Sequence, residues 1–278
     1  CSEDRKRLRM FEVVERTQLV PNLHLFIVRA PEVAAKVQPG HFVIVRADET
    51  GERVPLTVAD WDREKGTVST VFMEVGRSTH KLAELRPGDS IPTFVGPLGQ
   101  ELEIERFGTV LCVGGCYGIA NIYPLARALK EKGNRVVNLI EGRSGFLLYW
   151  QEKLEAVSDR IVFTTRDGSV GWKGVANTAV TRILEQEKID RVYAFGCTFL
   201  TYEVAAATEP FKIKTIVSLN PIMVDGTGMC GACRVSVGGQ TKFACVDGPD
   251  FDGHEVDWDL LLQRRKAYVP QETTSAER

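Results

Sequence analysis

Thr109-Val-Leu-Cys-Val113-Gly114-Gly115-Cys116-Tyr117-Gly118 is an apolar run that ends in glycines and feeds a segment with Ile119, Ile122, Ala126 and Leu129 on one helical face. A buried strand that turns through glycines into a helix brings backbone N–H groups and the helix N-terminus to one point. That geometry suits a pyrophosphate. The run lacks the strict G-x-G-x-x-G spacing, and a tight turn holding no ligand would carry the same letters. The rest of this region supports the nucleotide reading. Val136-Val-Asn-Leu-Ile140 reads as the next strand, then an amphipathic stretch to about Val157. Arg160-Ile-Val-Phe-Thr164, a helix over 176–187, Arg191-Val-Tyr-Ala-Phe195, a helix near 201–207 and a strand over 215–219 complete the series. Strands alternating with helices predict a parallel, doubly wound α/β sheet.

Two features sit where such a sheet binds ligands. Glu141-Gly-Arg143 ends the second strand: a carboxylate there suits ribose hydroxyls, an arginine a 2′-phosphate. Both are present, so NAD and NADP stay open, with Glu141 directly off the strand favouring NAD. Gly196-Cys197 ends a later strand, and Cys197 lies either beside a nicotinamide ring or as a small packed thiol.

Upstream the pattern differs. Leu23-His-Leu-Phe-Ile-Val28, His41-Phe-Val-Ile-Val45, Val54-Pro-Leu-Thr-Val58 and Thr67-Val-Ser-Thr-Val-Phe-Met73 are short β-rich runs separated by Pro39-Gly40, Lys65-Gly66 and Pro87-Gly-Asp89. They predict a small antiparallel barrel or sandwich, with a short helix over 78–85 capped near Ser78 or Thr79. Arg53-Val-Pro-Leu-Thr57 and Gly76-Arg-Ser-Thr79 offer a guanidinium, hydroxyls and N–H groups that suit a diphosphate. Taken alone, Arg53 is more often a solvated strand-edge charge and Ser78 a plain helix cap; their order relative to the next domain is what lifts the diphosphate reading.

Downstream, Asp225-Gly-Thr-Gly-Met-Cys230-Gly-Ala-Cys233 and then Cys245 place a carboxylate and three thiols on a glycine-rich loop. Thiolates are the usual holders of iron–sulfur clusters. A zinc knuckle is the alternative, but only one C-x-x-C is present and His254 lies beyond the last cysteine. Seven cysteines, an odd number without a secreted-scaffold pattern, fit a reducing compartment.

The 278 residues allow two domains and an appendage, with 44% hydrophobic and 26% charged content ordinary for a globular chain. A net charge of −2 gives no electrostatic case for nucleic acid or an anionic membrane. No apolar run reaches membrane-spanning length, and the charged first nine residues lack a signal-peptide core, so a cytoplasmic location is expected. The polar tail after Tyr268 is expected to be loose.

Taken in order, Arg-x-Pro-Leu-Thr, Gly-x-Ser-Thr and Gly-Gly-x-x-Gly resemble the ferredoxin–NADP reductase superfamily. The cluster loop adds a resemblance to two of its branches: electron-transfer subunits of class B dihydroorotate dehydrogenase, and small subunits of NADH-dependent ferredoxin:NADP oxidoreductases. The first branch has a cysteine where Asp225 stands and the second an aspartate, so the second is favoured.

The resemblance implies a FAD-binding barrel over 1–100, an NAD(P)-binding α/β domain over 101–221, a [2Fe–2S] module over 222–270 and a tail over 271–278. It implies FAD at Arg53, Val54, Pro55, Leu56, Thr57, Phe72, Val75, Gly76, Ser78 and Thr79. NAD(H), with NADP(H) as the alternative, is implied at Gly114, Gly115, Gly118, Ile119, Glu141, Arg143 and Gly196, with Cys197 as the catalytic candidate near the nicotinamide. The implied cluster ligands are Asp225, Cys230, Cys233 and Cys245. A larger partner subunit with FAD and [4Fe–4S] clusters, similar to the glutamate synthase small subunit and serving ferredoxin, is implied as well. So is electron bifurcation by the assembled complex.

Overall fold

The computed structural model describes residues 10–276; the expectations for residues 1–9 and for Glu277 and Arg278 lie outside the described residues. The first strands are β1 (Phe11–Val20), β2 (Leu23–Arg29), β3 (Phe42–Arg46), β4 (Val54–Asp62) and β5 (Thr67–Met73), with a short helix α1 (Pro31–Ala34) before β3. Helix α2 (Arg77–Glu84) precedes β6 (Ser90–Ile91) and β7 (Thr93–Leu98). They form one antiparallel sheet in the order β6-β1-β2-β5-β4-β3-β7. Its two edges, β6 and β7, are one stretch of chain interrupted at Pro92. Ser90 and Ile91 pair with β1 while Thr93 through Leu98 pair with β3. The sheet is thereby nearly closed into a barrel, which removes the exposed edges that invite wrong pairing.

Alternating side chains fill the barrel. Phe26, Val28, Val43, Val45, Val58 and Val68 are all buried in one cluster. The long strand β1 was not anticipated. Only Val13 among its ten residues is fully buried, so its sequence carries little apolar periodicity.

The second sheet contains β8 (Thr109–Gly115), β9 (Arg135–Gly142), β10 (Arg160–Thr165), β11 (Trp172–Lys173), β12 (Arg191–Phe195) and β13 (Thr215–Ser218). These six strands are parallel. Between them lie α3 (Gly118–Glu131), α4 (Gln151–Glu155), α5 (Ala176–Gln186) and α6 (Thr198–Thr208). The amphipathic stretch expected to reach Val157 holds one 3-10 turn, Gly145–Leu147, and is α-helical over the five residues of α4.

Both sheet faces are covered. Val110, Cys112 and Tyr193 meet Ile122, Leu125 and Leu129 of α3, while Leu111, Val113 and Val192 meet Val180 and Ile183 of α5. That double burial explains the unbroken apolar run of β8.

The chain then adds a hairpin, β14 (Arg234–Val237) with β15 (Gln240–Phe243), and β16 (Asp250–Asp252), which pairs antiparallel with β13. The second sheet therefore reads β11-β10-β9-β8-β12-β13-β16. Helices α7 (Trp258–Arg265) and α8 (Val269–Ala276) end it. The tail after Tyr268, expected to be loose, is helical instead.

The barrel and the α/β layer are one packed body. Leu23, Ala59 and Val71 of the barrel share a core cluster with α3, and the Asp60 carboxylate accepts from Arg127 at 3.0 Å and Lys153 at 2.6 Å. No helix among the described residues is long and apolar enough to cross a membrane.

Candidate cofactor sites

A cleft of about 250 Å³ opens between the barrel and the strand ends of the second sheet. Its barrel wall contains Val54, Pro55, Leu56, Thr57, Phe72, Val75 and Thr79, seven of the positions anticipated for a flavin. Three others lie off that lining. Arg53 stands exposed just before β4, Ser78 hydrogen-bonds Glu52, and Gly76 has open space around its Cα. Gly76 is itself the N-cap residue of α2. Thr79, expected near the cap, sits inside the first turn, and its Oγ1 accepts from the Val75 and Gly76 N–H groups at 3.0 and 3.1 Å.

The opposite wall is built from Tyr117, Asn121 and the segment 218–223, together with Pro249. None of these was assigned to the flavin from the sequence. The available signal was their position: Ser218 to Pro221 follow a parallel strand, the edge on which open α/β sheets bind ligands.

At the β8–α3 turn, Gly114, Gly115, Gly118 and Ile119 come together as anticipated. The first turn of α3 leans so closely on β12 that a Cβ on Gly118 would overlap the Phe195 carbonyl and the Gly196 nitrogen. Cys116 takes a φ of 54°, and the buried Tyr149 clamps the turn by donating its hydroxyl to Cys116 O at 2.9 Å and accepting from Ala120 N–H at 3.1 Å. Burial pushes the Cys116 thiol up to about 11, so it is protonated at neutral pH.

Glu141 lies beneath this turn, with one oxygen 3.0 Å from where a Gly115 Cβ would stand. Its other oxygen accepts from Arg166 Nε at 3.2 Å, a partner the sequence did not reveal. Arg143 is exposed. Gly196 and Cys197 form the N-terminal approach to α6, and Cys197 is exposed. Two donors from the cleft wall, Tyr117 Oη at 3.0 Å and Asn220 Nδ2 at 2.9 Å, converge on the Gly196 carbonyl. The nucleotide-side turn and the cleft are thus fixed against each other.

The cysteine loop packs on the barrel, where a Cβ on Gly226 would meet Ile44 and Leu98. Cys233 and Cys245 are buried with sulfurs 3.2 Å apart. The Asp225 carboxylate accepts from the N–H groups of Thr227, Met229 and Cys230 at 2.8 to 3.0 Å. These bonds, with the Cys230 thiol, hold its carboxyl below the usual carboxylate range. Burial first, then Cys233, pushes the Cys245 thiol up to about 12, with Asp225 adding to the effect. Cys230 is exposed.

The four anticipated ligands therefore occupy one loop system. Among the described residues, however, no three of them already form a metal-holding group. Their chemistry fits an iron–sulfur cluster: three unpaired thiols, one carboxylate and N–H groups turned inward, including Ala232 N–H to Cys230 Sγ at 3.5 Å.

Comparison with known proteins gives a consistent picture. The iron–sulfur cluster binding domain of dihydroorotate dehydrogenase B matches residues 220–257. The dihydroorotate dehydrogenase B (NAD(+)) electron transfer subunit homolog of Thermotoga maritima is 46% identical, across 96% of this chain and 94% of its own length. The electron transfer subunit of Shouchella clausii is 30% identical, across 91% of this chain and 99% of its own. A solved NADH-dependent reduced ferredoxin-NADP oxidoreductase, described for flavin-based electron bifurcation, superposes with a TM-score of 0.92 at 46% identity, covering 96% of each chain. The ferredoxin reductase of carbazole 1,9a-dioxygenase shares the fold, with a TM-score of 0.64 at 20% identity over 74% of this chain and 66% of that one.

Proposed function

Since the chain belongs to the family of dihydroorotate dehydrogenase B electron-transfer subunits and their homologues, we propose that it draws electrons from NADH and passes them singly to a larger partner. It is a flavin- and iron–sulfur-dependent oxidoreductase subunit using FAD, a [2Fe–2S] cluster and NAD(H). One observation carries the connection between flavin and cluster. The segment 218–223 that walls the cleft runs, two residues later, into Asp225 of the cysteine loop. An electron leaving the cleft is already beside the cluster loop.

When bound, the nicotinamide supplies a hydride, the flavin turns that pair into single electrons, and the cluster carries them one at a time. The protein's own part is placement. Val54 to Thr57 and Phe72 give the flavin an apolar seat; Thr79, Gly76, Ser78 and Arg53 receive its diphosphate from the α2 side. The Gly114-Gly115 turn and Glu141 would receive the pyridine nucleotide, with Cys197, beside the doubly held Gly196 carbonyl, as the residue assigned to its nicotinamide end. Asp225, Cys230, Cys233 and Cys245 hold the cluster. This reading divides the chain at residues 100, 221 and 270 into flavin, nucleotide, cluster and tail segments.

The proposed partner is the larger FAD and [4Fe–4S] subunit of a bifurcating ferredoxin:NADP complex, in the cytoplasm. Asp225 supports that partner over an orotate-forming one. Six unpaired cysteines among the described residues fit a reducing compartment.

Anaerobically isolated protein is expected to contain FAD and about two iron and two labile sulfide per chain. Cys245→Ser is expected to lose the iron while keeping FAD. A colourless, zinc-containing preparation would overturn the reading, and co-purification with an orotate-forming enzyme would reassign the partner. Asp225→Cys is expected to retain the cluster but shift its midpoint potential, because a carboxylate is a harder ligand than a thiolate. An unchanged potential would remove Asp225 from the ligand set.

A further inference from the structure

Asp250, at the start of β16, is an acid for which placing the cofactors gives no use. Both carboxylate oxygens are shielded from solvent, and among the described residues the one side chain that acts on them is the Ser218 hydroxyl. An unpaired carboxylate in such a place is costly, whereas the protonated acid is tolerated. Burial accordingly pushes the group up to about 7, with the hydrogen bond from the Ser218 hydroxyl pulling the other way.

Among the described residues no cation acts on Asp250 to hold the ionised form. Ser218 of β13 is the direct cross-strand partner of Asp250 on β16. On the barrel side, Oδ2 packs 3.0 Å from where a Gly40 Cβ would stand. Beyond Gly40, the His41 ring has its Nδ1 occupied by the Gln38 N–H at 2.9 Å. Glu101, after the nearby Gln100, is exposed, and Asp252 on β16 accepts from His254 N–H at 3.1 Å. None of these three adds to what moves Asp250.

Ser218 gives the acid a route. It is itself buried, and it lines the cleft assigned to the flavin, as does Pro249 immediately before Asp250. Cross-strand neighbours lie about 5 Å apart at Cβ. One hydroxyl therefore separates a buried acid from the cleft.

We propose that Asp250 is the proton store of the cleft, exchanging its carboxyl proton with the flavin site through the Ser218 hydroxyl. This rests on the cleft being the flavin site. Hydride transfer from NADH delivers two electrons and one proton, and a neutral reduced flavin takes up one proton more. The Asp250 O–H breaks as a new O–H forms on Ser218, Ser218 gives its original proton to the cleft, and Asp250 is left as a carboxylate. When the two electrons depart singly by way of the cluster, two protons are released. One returns over the same bridge to Asp250, and the other goes to water.

The test is a reduced-minus-oxidised infrared difference spectrum of the holoprotein near pH 6, with the flavin potential measured from pH 5 to 9. Wild type is expected to lose a protonated-carboxyl band on reduction, and Asp250→Asn to show no such loss at unchanged FAD content. The break near pH 7 in the wild-type potential curve is expected to vanish in the same variant. Ser218→Ala, which keeps the acid and removes the bridge, is expected to slow flavin reduction by NADH about 10- to 100-fold. A band loss that persists in Asp250→Asn, or its absence from FAD-loaded wild type, overturns the proton store alone. Wild type that binds no FAD overturns the flavin reading, and the store with it.

Discussion

Asp250→Asn is expected to change how stability depends on pH by about 4 kcal/mol between pH 4 and pH 8. The sign follows from the direction of the shift. The folded carboxyl is raised to about 7 from an ordinary value of 3.8. Below the unfolded value, both states hold the proton and the group contributes no pH dependence. As pH rises above it, the unfolded chain releases the proton while the folded chain keeps it, so folding is penalised by about 1.4 kcal/mol per pH unit. Beyond the folded value the penalty is constant. Most shifted carboxylates among the described residues act in the opposite sense. Asp190, lowered by Lys188 and by the Thr109 N–H, contributes stability above its unfolded value and loses it as pH falls. Asparagine cannot titrate. The urea midpoint of wild type relative to the variant, read by tryptophan emission on the holoprotein, should therefore fall between pH 5 and pH 8. An equal difference at both values would show that Asp250 is not held as a neutral acid.

The same residue marks a limit of what the letters convey. Asp250-Phe-Asp252 carries no strand pattern, yet it joins the parallel sheet because backbone pairing with β13 is indifferent to side-chain polarity. The continuous apolar stretch of β8 was legible because it is buried on both faces, and with it came the doubly wound sheet and the glycine turn. Glu141 was legible as an acid ending the second strand. Arg166 was not: it lies 25 residues away, and the pairing of Thr165 with Gly142 in the β9–β10 register is what brings it alongside. The barrel half of the cleft was readable as a contiguous motif, Val54 to Thr57. The other half was not, since Tyr117 and Asn121 at the start of α3 and Ser218 and Asn220 at the end of β13 lie far apart in sequence and meet only through packing. The cysteine spacing was the most direct signal of all, because ligand chemistry depends on residue type more than on fold.

Gly118→Ala is expected to cost about 3 kcal/mol of stability and to weaken NAD(H) binding at least about tenfold, since overpacking a tight contact typically costs 1 to 3 kcal/mol. The added methyl would overlap backbone atoms, the Phe195 carbonyl and the Gly196 nitrogen, which cannot rotate aside as a side chain would. Alanine's better helix propensity, about 1 kcal/mol over glycine, offsets only part of that. Relief requires α3 to move off β12, and that movement carries Tyr117 away from the Gly196 carbonyl it holds. The Gly114-Gly115 turn moves with it, so stability and nucleotide affinity should fall together. Gly76→Ala provides the contrast. Its φ of −164° is extended backbone open to any residue, and a Cβ there meets nothing within 4 Å. That variant should stay within about 0.5 kcal/mol of wild type, and any loss of FAD affinity would come from the diphosphate approaching that turn. Denaturant midpoints paired with NADH and FAD titrations separate the two cases. A Gly118→Ala protein with wild-type stability and wild-type NADH affinity would mean that the contact between α3 and β12 is looser than the structure has it.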